Sequence, residues 1–134
     1  MNTQWAAQFL VAGELERAGY TVTFTMGHAT PVADLMVGHN DVQFWVDVKG
    51  LARANSWWGR AKNGRDNLFY VGVMVAKRRE DDLFFIMTQT EWNGLIADYQ
   101  TRHPNQKKVG GFAWKDAAPF KDRWDKLPGW LAPT

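Results

Sequence analysis

Ala33-Asp34-Leu35-Met36-Val37 and, after a short turn, Phe44-Trp45-Val46-Asp47-Val48-Lys49-Gly50 decide how this chain is read. Both are short apolar runs that carry one acid, and the second ends in acid-x-lysine. Side chains alternate faces along a strand. Gln43, Trp45, Asp47 and Lys49 therefore share one face, and Phe44, Val46 and Val48 the other. If the first run pairs beside the second, Asp34 joins Asp47 and Lys49 at one strand end. Two carboxylates and an ammonium there suit a hard divalent cation beside a phosphate. The plainer alternative is a surface ion pair between Asp47 and Lys49, worth little energetically.

Outward from this stretch, Gly38-His39-Asn40-Asp41 reads as a hairpin turn. Upstream, Tyr20–Met26 alternates apolar and threonine residues and predicts a strand. The loop Gly27-His28-Ala29-Thr30-Pro31 leads from it to Asp34, with His28 a minor candidate for the site. Trp5, Phe9, Ala12 and Leu15 fall on one helical stripe, so residues 3–18 predict a helix with Thr3 as N-cap and Gly19 as its stop. Gln8 lies within that stripe, whereas Glu14 and Glu16 lie off its centre.

Downstream, residues 51–67 read as irregular, with Trp57 and Trp58 either stacking on bases or covering a sheet edge. Leu68–Ala76 is a continuous apolar run, as in a strand buried on both faces. Leu83–Met87 predicts another strand. A helix over 91–102 follows, with Thr90 as N-cap and Glu91 favouring the helix dipole. His103-Pro104 ends it. Phe112, Trp114, Phe120, Trp124 and Leu127 suggest a C-terminal strap with a short helix near 117–127. The expected architecture is α/β, a central mixed sheet flanked by helices with that strap. All 134 residues form a single domain, with a core of about 3–102 and an extension over 103–134.

Composition narrows the function. With no cysteine, disulfides and thiolate metal sites are excluded. No apolar run reaches spanning length and no signal-peptide pattern is seen, so a cytoplasmic setting without membrane contact is expected. The net charge of +2 is unevenly spread. Residues 50–79 hold seven Lys/Arg against the single Asp66, whereas residues 1–48 hold Arg17 against five acids. Arg53, Arg60, Lys62 and Arg65 follow directly on the acid-x-lysine stretch, a pattern that suits a polyanion such as nucleic acid.

The order helix, strand, Asp-bearing strand, acid-x-Lys strand, basic loop, two buried strands and helix resembles the PD-(D/E)xK nuclease superfamily, the restriction-endonuclease-like fold. Asp34…Asp47-Val48-Lys49 matches its signature. Val11 to Tyr20 is similar to the first helix of its small archaeal Holliday-junction-resolvase-like members. The resemblance spans roughly residues 3–100. It implies metal-dependent phosphodiester hydrolysis of nucleic acid, DNA in the first instance. Asp34, Asp47 and the Val48 carbonyl would hold Mg²⁺ or Mn²⁺, and Lys49 would orient water or stabilise the transition state. Two positions depart from the pattern. Pro31 stands three residues before Asp34 rather than next to it. The first-helix acid of many members aligns with Gln8, which brings no charge, with Glu14 as the fallback. Two alternatives follow: a nuclease fold kept only to grip nucleic acid, and a protein-interaction domain with a tryptophan-rich surface. A homodimer is compatible with the nuclease reading, because cutting both strands of a duplex takes two sites.

Overall fold

The structure is a computed structural model, and it describes residues 1–26, 33–106 and 110–131. It is α/β, with a mixed five-stranded sheet and helices packed on it. Helix α1 (Thr3–Arg17) is capped by the Asn2 side chain, which accepts from the Trp5 amide, so the cap precedes the expected Thr3. Strands β1 (Thr21–Phe24), β2 (Leu35–His39) and β3 (Val42–Leu51) form an antiparallel meander. The β2–β3 turn is tight, and Asn40 takes a φ of 52° there, a conformation that asparagine tolerates well.

Beyond β3 the chain crosses over through residues 52–67, which carry the two-residue strand β4 (Trp57–Trp58) and no helix. Strand β5 (Leu68–Met74) then pairs parallel to β3, and β6 (Leu83–Thr88) pairs antiparallel to β5. The sheet order is β1-β2-β3-β5-β6. Helix α2 (Gln89–Arg102) starts two residues earlier than the sequence suggests. Its N-cap is Thr88, not Thr90, and Thr88 and Glu91 form a reciprocal capping box. Glu91 also meets Lys126 at 2.8 Å, tying the helix start to the C-terminal segment.

Strand alternation divides the core in two. Phe44, Val46 and Val48 face the α1 side with Ala7, Val11, Leu15, Val71, Val73 and Ile86. Trp45 and Tyr70 face the α2 side with Trp57, Trp92, Phe85 and Phe112. The continuous apolar run of β5 follows from this, because the strand is covered on both faces. The C-terminal segment serves both layers. Strand β7 (Gly111–Phe112) pairs with β4, 3-10 turns occupy Trp114–Phe120 and Trp124–Lys126, and Leu127 enters the α1-side core. The Tyr20 hydroxyl donates to the Pro128 carbonyl at 2.6 Å.

The tandem tryptophans divide their work. Trp57 is fully buried, stacked on Trp114 at 5.5 Å, while Trp58 is 58% exposed. Gly72 on β5 makes room for Trp57, since a Cβ there would stand 2.8 Å from the indole. Gly72→Ala should destabilise the fold by about 1–3 kcal/mol through overpacking. Urea denaturation checks this, and a variant as stable as wild type would show that the ring has room to move.

Candidate functional site

The site begins with a mismatch of strand lengths. β2 pairs with β3 only as far as Leu35 opposite Val46, and the Asp34 amide adds one more bond to the Val46 carbonyl at 3.1 Å. β3 runs on to Leu51 with β5 along its other edge. On the β2 side, the backbone of residues 48–50 needs other partners. Asp34 supplies the first, accepting the Val48 amide on Oδ2 at 2.8 Å. Gln4 supplies the rest: its Nε2 donates to the Val48 carbonyl at 2.7 Å and its Oε1 accepts from the Gly50 amide at 3.1 Å. One side-chain amide thus completes the strand edge. α1 comes this close because Gly50 has no side chain; a Cβ there would lie 2.9 Å from that of Ala7.

Asp34 is thereby fixed beside Asp47. Its carboxyl is pushed up to about 6 from an ordinary 3.8. Burial is the main cause, opposed by the Val48 amide. The charge of Asp47 and a hydrogen bond shared with it push further up, and Lys49 pulls down. Asp47 is buried at 5% exposure and holds two ammonium groups. Lys62 lies 2.8 Å from its Oδ2 and Lys49 3.5 Å from its Oδ1. The Lys49 ammonium also sits 5.9 Å above the Trp92 ring centre, within cation–π range.

Tyr70 closes the floor. It is the register partner of Asp47 on β5 and stacks flat on Trp92 with 4.5 Å between ring centres. Its buried hydroxyl has no hydrogen-bond partner among the described residues. Burial, reinforced by the charge of Asp47, raises its pKa, so the phenol stays a proton donor.

The basic loop is fastened to the start of α2. Trp92 Nε1 donates to the Arg60 carbonyl at 3.1 Å. The Asn93 side chain brackets Lys62, accepting its amide at 3.1 Å and donating to its carbonyl at 2.6 Å. Gln89 donates to the same carbonyl at 2.8 Å and accepts from the Arg65 amide at 3.2 Å. A polar cleft of about 440 Å³ lies between residues 63–66 and the first turn of α2.

Asp34, Asp47, Val48 and Lys49 therefore come together as the sequence suggests, and Lys62 joins them. Arg53, Arg60 and Arg65 are exposed on the crossover. Gln8 is buried on α1 but forms no side-chain hydrogen bond among the described residues, so the first-helix group that touches β3 is Gln4, one turn earlier. Glu14 is only partly buried, and Glu16 is occupied in accepting the Val22 amide. His28 lies outside the described residues. Sequence reasoning missed Gln4, Tyr70 and Asn93. For Gln4 the available signal was its i, i+4 relation to Gln8, which places both on one helix face. No protein-family model matches the chain, and no curated protein or solved structure matches it.

Asp34 holds its proton more firmly in the folded chain than in the unfolded one. Between about pH 4 and pH 6 the native state binds more protons, so the contribution of Asp34 to stability falls as pH rises through that window. Asp34→Asn keeps an oxygen for the Val48 amide and removes the charge. Thermal melts should find the variant more stable than wild type at pH 7.5, by about 1–2 kcal/mol after allowance for solvent screening. The difference should vanish near pH 4. A difference that is the same at both pH values would assign the effect to packing instead.

Proposed function

We propose that this chain is a metal-dependent nuclease of the PD-(D/E)xK type with a restriction-endonuclease-like fold, hydrolysing phosphodiester bonds in DNA. The observation that carries the reading is the pair of carboxylates, Asp34 and Asp47, held against each other at the open edge of β3 with Lys49 alongside. Holding two like charges together costs stability, and a binding site for cationic or phosphoryl chemistry gives that cost a purpose. The antiparallel meander followed by a parallel β5 supports the same reading, since it sets the two motif strands side by side in the order the resemblance requires.

The donor set fits a hard divalent cation. Asp34, Asp47 and the Val48 carbonyl offer oxygen only, and among the described residues no group of three or more His, Cys, Asp or Glu side chains gathers. Mg²⁺ commonly rests on one or two carboxylates and keeps several waters. The Tyr70 hydroxyl beside Asp47, without a partner among the described residues, is a buried donor suited to such a hydrated ion. When bound, the cation supplies Lewis acidity, easing deprotonation of water and polarising the phosphoryl group.

The chain's own groups do the rest. Asp34, pinned by the Val48 amide, holds its second oxygen in a fixed place. Gln4 leaves the Val48 carbonyl a second lone pair and fixes its direction. Lys49, resting on Trp92, would set an ammonium beside the non-bridging phosphoryl oxygens, where negative charge grows during in-line attack. Arg53, Arg60 and Arg65 are free of the acidic pair and suited to neighbouring phosphates.

One observation favours a second reading, a nucleic-acid-binding module without cleavage. Both oxygens of Asp47 already face lysines, and the first helix offers amides where an acid would add charge. Nicking of supercoiled plasmid in Mg²⁺ or Mn²⁺, with branched and single-stranded oligonucleotides as further substrates, separates the two. Wild type should cleave only with metal. Asp47→Ala and Lys49→Ala should each lose about 100-fold or more. Absence of cleavage on every substrate, with salt-sensitive DNA binding intact, would establish the binding module.

A further inference from the structure

Lys62 stands apart from the other basic residues of the crossover. Its ammonium makes the shorter of the two contacts to Asp47, at 2.8 Å against 3.5 Å for Lys49. Its backbone is held by three hydrogen bonds from Asn93 and Gln89, whereas its side chain is about one-third exposed. The anchor is rigid, and the ammonium is carried on a flexible four-carbon stem. Charge adds the second half of the argument. Asp34 and Asp47 carry at most two negative charges, and Lys49 and Lys62 match them. A divalent cation arriving on the same carboxylates would leave the cluster strongly positive and would compete with Lys62 for Asp47 Oδ2.

Taking the nuclease reading above as the basis, we infer that Lys62 is the resident counter-ion of the cation site. It occupies Asp47 until a divalent cation displaces it, and its ammonium then turns to a phosphate of the bound DNA. Metal loading and backbone grip are thereby coupled through one side chain. Lys49 is unsuited to this exchange because it is confined between Trp92 and Gly59, whose added Cβ would sit 3.4 Å from the Lys49 Cε.

Two measurements test this. The first is Mn²⁺ affinity by calorimetry, with Asp47→Asn to identify the site. Lys62→Met should bind Mn²⁺ about tenfold more tightly than wild type, because the competing charge is gone. The second is the salt dependence of binding to a cleavage-resistant phosphorothioate duplex. With Mn²⁺ the wild-type slope of log K against log salt should exceed that of Lys62→Met by about one, and without Mn²⁺ the two slopes should coincide. Asn93→Ala keeps the lysine but loosens its anchor, and it should tighten Mn²⁺ binding in the same direction if Lys62→Met fails to fold. Wild type that binds Mn²⁺ no more weakly than either variant would overturn the exchange while leaving the nuclease reading in place. Tighter Mn²⁺ binding with equal slopes would overturn the transfer to phosphate. Failure of wild type and both variants to bind Mn²⁺ would remove the nuclease reading and this inference together.

Discussion

The unpaired edge of β3 beyond Val46 is the constraint on which the site depends. Backbone amides and carbonyls at the centre of a domain must find partners, and β2 ends before it can supply them. Asp34 and Gln4 take over as side-chain surrogates for a missing strand. The same bond that satisfies Val48 fixes a carboxylate next to Asp47. Fold and site are thus one solution. Completing the strand edge in this way sets an Asp34 oxygen beside Asp47, and moving that side chain away would expose the edge.

The second layer of the site answers the charge this creates. Asp47 is nearly inaccessible, and a buried carboxylate needs close cations and hydrogen bonds. Lys49 comes from the same strand and the same face. Lys62 comes from the crossover, and its approach depends on Trp92, Gln89 and Asn93 fixing an otherwise irregular segment to α2. The crossover between parallel strands is usually a helix. Here a chain of side-chain-to-backbone bonds does the holding, with the β4–β7 pairing and the C-terminal segment covering it.

Much of this was legible from local pattern. Alternation along β3 assigns Asp47 and Lys49 to one face, and the unbroken apolar run of β5 announces burial on both sides. The α2 start was misread at Thr90, although Thr88-Gln89-Thr90-Glu91 has the capping-box spacing, with Thr88 three residues before Glu91. Gln4 was hidden for a physical reason. Its role depends on where β2 stops relative to β3, and register is a tertiary quantity. Lys62 was visible as one positive charge among several on the crossover. Its contact with Asp47 depends on the path of the loop, which side chains from α2 determine. Trp57 and Trp58 were indistinguishable in sequence, and the two-residue strand β4 sends them to opposite sides.

The meander also has a consequence for the order of folding. Asp34 immediately precedes β2 and Asp47 lies on β3, and the two strands are antiparallel and joined by a tight turn, so their approach closes only a short loop. Lys62 arrives later in sequence, on a segment that takes its place when β5 pairs parallel to β3 and α2 docks. Contacts between near neighbours form at smaller entropic cost than distant ones. The acid pair and Lys49 therefore come together within the hairpin, whereas the closer ammonium of Lys62 arrives only with the crossover, so the charge balance of the site is completed when the second half of the sheet closes over it.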